Sequence, residues 1–326
     1  MRRREFNALL VGIVVSSIAR PLKARAQRRM ARVGILVLGG PVAAKDLIIS
    51  SELARLGYVD GRNITYEIRA ADDDLSRLAP LARELVAAKP DVLIGASSSV
   101  AEALAAATRD IPIVMTVIGD PIAVGVTSSM SRPSRNVTGF TASSPTLAAK
   151  RLELLHQLIP GLNKVAYLTM PTSPMNVTFK QQVRNAADVL GISLISVPIT
   201  TDASVTDGFA LVDREKAQAV LVESHESNVR LGAHIIDECL VRDLPAIHTW
   251  SFEVRAGALM SYGPATIENF AGAARYVDRI LKGAKVAELP FEEPTEIKFA
   301  INLRTARSIK LTIPATLLAR ANEVIE

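Results

Sequence analysis

The chain has 326 residues and a formal net charge of +5, and all of that excess lies in the first 26 residues, which hold six basic side chains and one acidic one. The rest of the chain is electrically balanced, so its basic isoelectric point is no argument for nucleic-acid binding. A single cysteine, Cys239, excludes an intrachain disulfide.

The first 26 residues have the layout of a secretory signal peptide. A basic start precedes an apolar run at 8–19 and small residues at 24–26. A run of about 12 residues is too short to cross a bilayer, which needs about 20. Arg3 and Arg4, followed by Phe6, favour twin-arginine export over the general route. We expect residues 1–26 to be removed and the protein to be periplasmic; the alternative is a basic amphipathic tail.

Strand and helix patterns alternate through the first half of the remaining chain. Apolar, β-branched runs predict strands, and apolar residues at helical spacing predict helices. The predicted strands are 33–38, 64–69, 92–96 and 113–117, and the predicted helices are 47–56, 75–88 and 100–108. Strands joined through helices need crossovers, which indicates an α/β fold with a parallel sheet.

The same pattern repeats after an extended piece at 136–141. Helices are predicted at 147–158, 176–190 and 228–242, and strands at 165–170, 194–199, 219–223 and 246–250. The tail adds a strand at 258–262, a helix at 267–281 and a strand at 297–302. Two similar halves predict two lobes around a cleft, joined by three strands. We expect 27–142 and about 258–285 in the N-terminal lobe, and 143–257 and about 286–326 in the C-terminal lobe.

Polar residues follow two predicted strands of the first lobe. Ser97, Ser98 and Ser99 come after 92–96 and open a helix, and Asp120 follows 113–117 in a Gly-Asp-Pro turn. Ligands of open α/β sheets bind at the carboxyl ends of strands, and a helix start suits a carboxylate. The alternatives are a serine that only caps the helix and an aspartate that only caps a turn.

The second lobe offers matching candidates for the opposite wall of the cleft. Ser173 and Asn176 lie between the strand 165–170 and the next helix, while Glu223, Ser224 and Asn228 follow the strand 219–223. An ammonium group on the ligand would pair with a carboxylate of this segment or of the first lobe. An ordinary turn is the alternative, since serine and asparagine are common turn residues.

Aromatic and metal-binding residues are sparse. Trp250, the sole tryptophan, ends the strand 246–250 and either stacks on a ligand ring or fills a gap in the core or hinge. Tyr262 has the same alternatives, and the low aromatic content disfavours a sugar site. No metal or cofactor is expected, because the histidines lack ligand spacing. They are His156, His225, His234 and His248.

Three stretches resemble the substrate-binding proteins of ABC transporters. They are the segment 119–139, with Gly119-Asp120-Pro121, Gly125-Val126, Arg132-Pro133 and Asn136-Val137-Thr138-Gly139; the segment 56–63, LGYVDGRN; and the segment 301–325, with Ile301-Asn302-Leu303, Leu311-Thr312-Ile313-Pro314 and Ala321-Asn322-Glu323. The similarity covers essentially the whole chain after the export segment. Ser134 and Arg135 depart from the family pattern, which has glycine there.

The resemblance implies a type I periplasmic binding fold, in which two Rossmann-like lobes close on a small ligand. Members of the family are similar to proteins that bind aromatic amino acids such as tryptophan or tyrosine. For this chain we therefore expect a monomer without cofactor. It would bind an amino-acid-like or aromatic carboxylate solute and present it to an ABC permease in the membrane.

Two other classes of function compete with a binding protein. An exported enzyme would need an activated nucleophile or an acid–base pair, and the sequence has no G-x-S-x-G, H-E-x-x-H or phosphate-binding glycine motif. A ligand-sensing protein with the same two lobes would need a helix-turn-helix or a membrane span, and the sequence predicts neither.

Overall fold

The structure is a computed structural model. It describes residues 30–39, 48–141, 145–169, 176–224 and 230–326. The predicted export segment 1–26 and the candidate site residues Ser173 and Asn228 lie outside the described residues. Asn176 is described only through its backbone.

Twelve strands and eleven α-helices make up the described part of the chain. The strands are β1 (Ala31–Val37), β2 (Ile64–Ala70), β3 (Val92–Ala96), β4 (Ile113–Ile118), β5 (Val137–Thr141), β6 (Lys164–Thr169), β7 (Ser193–Pro198), β8 (Ala219–Val222), β9 (Ala246–His248), β10 (Met260–Pro264), β11 (Ile297–Asn302) and β12 (Glu323–Ile325). The helices are α1 (Ile48–Arg55), α2 (Leu78–Ala87), α3 (Ser98–Ala107), α4 (Pro145–Leu158), α5 (Asn176–Leu190), α6 (Asp202–Glu215), α7 (Gly232–Val241), α8 (Ser251–Arg255), α9 (Thr266–Leu281), α10 (Leu303–Ser308) and α11 (Ala315–Leu318).

The strands form two separate sheets. The first has the order β2-β1-β3-β4-β5, and all of its pairs are parallel. The second has the order β12-β11-β10-β9-β8-β6-β7, in which only the β10–β11 pair is antiparallel. Helices cover the faces of the sheets, which explains why strands such as β3 and β8 are apolar at almost every position. The predicted α/β fold with two parallel-sheet lobes is confirmed.

One long helix is absent from the sequence prediction. Helix α6 begins at a capping box in which Thr201 accepts from the Ser204 backbone and Ser204 accepts from the Thr201 backbone. Its buried residues Val205, Phe209 and Val212 recur at helical spacing. The motif Thr-x-x-Ser is therefore a start signal, although the usual box has glutamate or glutamine at the second position.

Strand pairing shows that the chain returns to the first lobe later than the sequence predicts, after β10 and not before it. Strand β10 pairs with β9 in the second sheet, so residues 260–264 belong with the second lobe and not with the first. Helix α9 then packs on the first sheet, where Ala273 and Val277 join the core around Val33. Residues up to Glu292 stay with the first lobe, because Glu292 pairs with β5. An isolated apolar strand carries no signal for the sheet it will join.

The three connections between the lobes are tied to one another. The Thr141 N–H donates to the Glu292 carbonyl at 2.9 Å, and the Ala265 N–H donates to the Glu296 carbonyl at 3.0 Å. The Asn269 side chain donates to the Thr141 carbonyl at 3.2 Å. The connections therefore run side by side as one hinge region.

Gly139 allows β5 to lie against β4. It has φ 146°, and a Cβ atom there would stand 2.1 Å from the Met115 carbonyl oxygen. Gly125, in the loop before β5, also has positive φ, at 78°, but a Cβ atom at that position would have no neighbour within 4 Å. Of these two positions, only 139 requires glycine both because of a close contact and because of its backbone angle.

We expect Gly139→Ala to lower the free energy of unfolding by about 2 kcal/mol or more beyond the loss in Gly125→Ala, because only the first creates a backbone collision. The control should lose about 1–2 kcal/mol through its left-handed backbone alone. Urea unfolding of both variants measures the difference. Equal losses would show that the close approach to Met115 does not limit position 139.

Candidate functional site

The serine run lies at the carboxyl end of β3, as the sequence predicts. Ser97 has φ 92° and ψ 156°, a region that is essentially restricted to glycine and is found at ligand-binding sites. Its N–H donates to the Val117 carbonyl at 2.7 Å, and its Oγ accepts from the Val100 N–H at 3.4 Å, which caps α3. Ser98 and Ser99 follow in the first turn of α3, and both are half-buried.

A hydrogen bond brings the serine run together with the Gly-Asp-Pro turn. The Gly119 N–H donates to Ser98 Oγ at 3.2 Å, so the ends of β3 and β4 meet at one point of the sheet edge. Asp120 is exposed there, and its Oδ1 accepts from the N–H groups of Ile122 and Ala123 at 2.9 and 3.1 Å. Asp120 thus has the turn-capping role that the sequence left open, at the rim of the first lobe.

Ser134 and Arg135 brace the loop after Asp120. Ser134 Oγ accepts from the Ser128 N–H at 3.0 Å, and the Ser134 N–H donates to Thr127 Oγ1 at 3.1 Å. Arg135 donates to the Gly125 carbonyl at 3.2 Å. The side chains of Ser134 and Arg135 therefore hold this loop closed on itself.

In the second lobe, the neighbouring strands β6, β8 and β9 end side by side. Glu223 directly follows β8 and is buried, and its N–H donates to the Leu168 carbonyl at 3.0 Å. Ser224, next along, is half-buried. Trp250 follows β9 by two residues and is buried. The structure therefore places Glu223, Ser224 and Trp250 at one sheet edge.

A buried arginine lies behind this edge, where the sequence predicts no site residue. Arg151 is only 1% exposed, and its Nη1 donates to the Tyr262 carbonyl at 3.1 Å. Burial lowers its pKa to about 10, against the opposing effect of Tyr167, Glu253 and Glu223, so the guanidinium stays charged at neutral pH. A signal for it exists in the sequence, since Arg151 occupies the apolar stripe of α4.

The pKa of Tyr167 shifts in the opposite direction. Burial raises it first, and the negative charge of Glu223 raises it further, while Arg151 lowers it. The phenol therefore stays neutral and can donate or accept a hydrogen bond. Arg151, Tyr167 and Glu223 form one electrostatically coupled group that carries both signs of charge.

Several buried polar atoms near this edge have no hydrogen-bond partner among the residues that the structure describes. They are Arg151 Nε, Tyr167 Oη, Thr169 Oγ1, Thr249 Oγ1 and Trp250 Nε1, with His248 Nε2 and Ser261 Oγ on the same sheet. A buried polar atom left unpaired costs about 1–3 kcal/mol, so native proteins rarely collect them at one place. Those of Thr169, His248, Thr249 and Trp250 lie at the ends of β6 and β9, which marks this edge as a candidate polar binding surface.

The described residues include no group of histidine, cysteine or acidic side chains that could hold a metal ion. Cys239 is buried, and burial raises the pKa of its thiol. In the described part of the chain, no helix is both long enough and apolar enough to cross a membrane.

Comparison with known proteins identifies the family. The sequence model of the family described as ABC transporter substrate binding protein matches residues 42–325. A tyrosine-binding protein of Clostridioides difficile is 26% identical over 258 residues, which is 78% of this chain and 73% of the relative.

Solved structures agree with the sequence match. A conserved domain protein from Vibrio cholerae has 25% identity and a TM-score of 0.84, with 91% of this chain and 100% of that chain covered. A Streptococcus ABC domain in complex with L-Trp also has 25% identity, with a TM-score of 0.82 over 90% of this chain and 99% of that one. The resemblance noted in the sequence is confirmed. The chain belongs to the ABC transporter substrate-binding proteins, which makes it a solute-binding partner of a membrane transporter and not an enzyme.

Proposed function

We propose that this protein is the exported binding component of an uptake transporter and that its ligand is an amino acid or related carboxylate with an aromatic side chain. The observation that carries the proposal is the pair of polar edges, one on each sheet, at the carboxyl ends of the strands. Two relatives favour the ligand class, since one is named as tyrosine-binding and another was solved with L-Trp.

The first lobe would hold the carboxylate of the ligand. Helix α3 is long enough to carry a helix dipole, and its first turn presents backbone N–H groups together with the hydroxyls of Ser98 and Ser99. The strained backbone of Ser97 supports the assignment, because such strain persists mainly where function requires it. Asp120 lies at the rim of the same edge and would contact the ammonium group of the ligand rather than its carboxylate.

The second lobe would hold the ammonium group. Glu223 lies at its carboxyl edge, and an ion pair with an ammonium group would be a strong charge-assisted contact. Arg151 lies behind this edge and offsets part of the negative charge of Glu223 before the ligand binds. Ser224 and Asn228 from one segment, and Ser173 and Asn176 from another, would complete the wall, and Trp250 would contact the side chain of the ligand.

Binding would act by closure of the lobes about the hinge region. A ligand favours the closed state only through contacts that it makes there and not in the open state, so residues of both edges should contribute. We propose that the closed monomer then presents both lobes to its permease. Residues 1–26 would direct the protein to the periplasm and would then be removed.

The ligand class is tested first by thermal unfolding of the protein from Gln27 onward, after unfolding and refolding to remove any bound solute. We expect aromatic amino acids to raise the melting temperature by several degrees, because a ligand at about 1,000 times its Kd adds about 4 kcal/mol to the native state. Sugars and nucleosides are the controls. A shift with sugars alone would contradict the proposed ligand class.

The two edges are tested by Ser98→Ala and Glu223→Gln, with binding measured by calorimetry. Each should weaken binding of the amino acid about tenfold or more, since each removes a hydrogen bond to a charged group. Glu223→Gln should leave unchanged the affinity for a deaminated analogue, which lacks the ammonium group. Glu288→Gln, at an exposed residue of the turn Val286–Glu288, is the matched control.

An equal loss of affinity for the amino acid and for its deaminated analogue would show that Glu223 does not contact the ammonium group. If both edge variants bind the amino acid with normal affinity and melt at the same temperature as the unchanged protein, the cleft edges are not the binding site.

A further inference from the structure

The corner between β9 and α8 is held in place by a buried carboxylate. Glu253 Oε2 accepts from the Trp250 backbone N–H at 2.9 Å, and Glu253 Oε1 lies 3.0 Å from His248 Nδ1. All three residues are buried. Both oxygens of Glu253 are used inside the corner, so the direction in which the chain leaves β9 is fixed.

Two aromatic rings are stacked on this corner. The rings of Trp250 and Phe252 are nearly parallel, at 9°, with centroids 5.8 Å apart. Trp250 is 8% exposed, yet it belongs to none of the apolar cores that the described residues form. Phe252 is 43% exposed and is the one aromatic residue among the exposed large apolar side chains in the described part of the chain. The stack therefore covers a surface and not a core.

The indole N–H of Trp250 has no acceptor among the described residues, although it is buried. A buried tryptophan normally finds a partner for this group, which can only donate. Thr249 Oγ1 and Thr169 Oγ1, at the ends of β9 and β6, are also without partners in the described part of the chain. The corner thus joins an exposed apolar ring to a donor for which the described residues offer no acceptor.

We propose that Trp250 and Phe252 form the subsite for the ligand side chain and select a ring that carries an oxygen acceptor. Because an indole N–H lies in the plane of its ring, the acceptor must approach the edge of the stack. A phenol fits this arrangement: its oxygen would accept from the indole, and its ring would pack beside Phe252. This assignment rests on the proposed function and adds a preference within the aromatic ligands.

The experiment compares tyrosine with phenylalanine, which differ by one hydroxyl group, on the refolded protein. Calorimetry should give a Kd for tyrosine about tenfold or more below that for phenylalanine, because only tyrosine pairs the indole N–H. Trp250 is the only tryptophan, so its emission, excited where tyrosine does not absorb, reports on the subsite directly. We expect both amino acids to change that emission.

Two variants separate the hydrogen-bonding role of Trp250 from the packing role of Phe252. Trp250→Phe keeps an apolar ring but removes the donor, so the preference for tyrosine should fall to about one while phenylalanine still binds. Phe252→Leu should weaken both ligands alike. Val241→Ala, at an exposed residue of α7, is the control and should change neither. If Trp250→Phe fails to fold, the ratio of the Kd values for the two amino acids and the Trp250 emission, both measured on the unchanged protein, decide whether the subsite exists.

The outcomes distinguish this inference from the proposed function. Binding of either amino acid without a change in Trp250 emission, or with a Kd ratio near one in the unchanged protein, would overturn the subsite alone. A ratio that survives Trp250→Phe would also overturn it. If neither amino acid binds or raises the melting temperature, the proposed ligand class fails and the subsite fails with it.

Discussion

The chain passes between its two sheets three times, and each passage leaves or enters at the carboxyl edge of the strands. Strand β5 leads into α4, β10 leads into α9, and β11 starts at the same edge because it runs antiparallel to β10. The carboxyl edges must therefore face each other across the hinge region. This constraint brings the serine run of the first sheet and the polar edge of the second onto opposite walls of one cleft.

Charge is distributed unevenly between these walls. The first wall has hydroxyl groups and the start of a helix, with Asp120 exposed at its rim. The second wall holds two buried ionisable side chains, Arg151 and Glu223, and burial together with Glu223 raises the pKa of Tyr167, which stays neutral. Buried charges are costly unless they are compensated, and the proposed charged solute would add a partner at this wall.

Much of this arrangement can be predicted from the sequence. Alternating strand and helix patterns predict two α/β lobes, and the rule for open sheets locates Ser98 and Glu223 at strand ends. The sheet that β10 joins cannot be predicted, because the pairing of an isolated strand depends on distant residues. Arg151 is hard to single out although it occupies the apolar stripe of α4, because a charged residue in a helix is usually assigned to the exposed face.

The clustering of polar atoms that have no partner in the described part of the chain is a further property that no sequence pattern reveals. Thr169, Thr249 and Trp250 are drawn from two separate parts of the chain, and each alone is an ordinary buried residue. Only the order β9-β8-β6 brings their strand ends together. The number of unpaired donors at a sheet edge is therefore information that the structure adds.

Lobe closure on a small solute is the central claim, and small-angle X-ray scattering tests it most directly. The refolded protein would be measured alone and with saturating aromatic amino acid, whose binding is established separately by calorimetry. The account predicts a smaller radius of gyration in the presence of ligand, because contacts from both walls draw the lobes together. An unchanged scattering curve from a protein that is fully bound would contradict it.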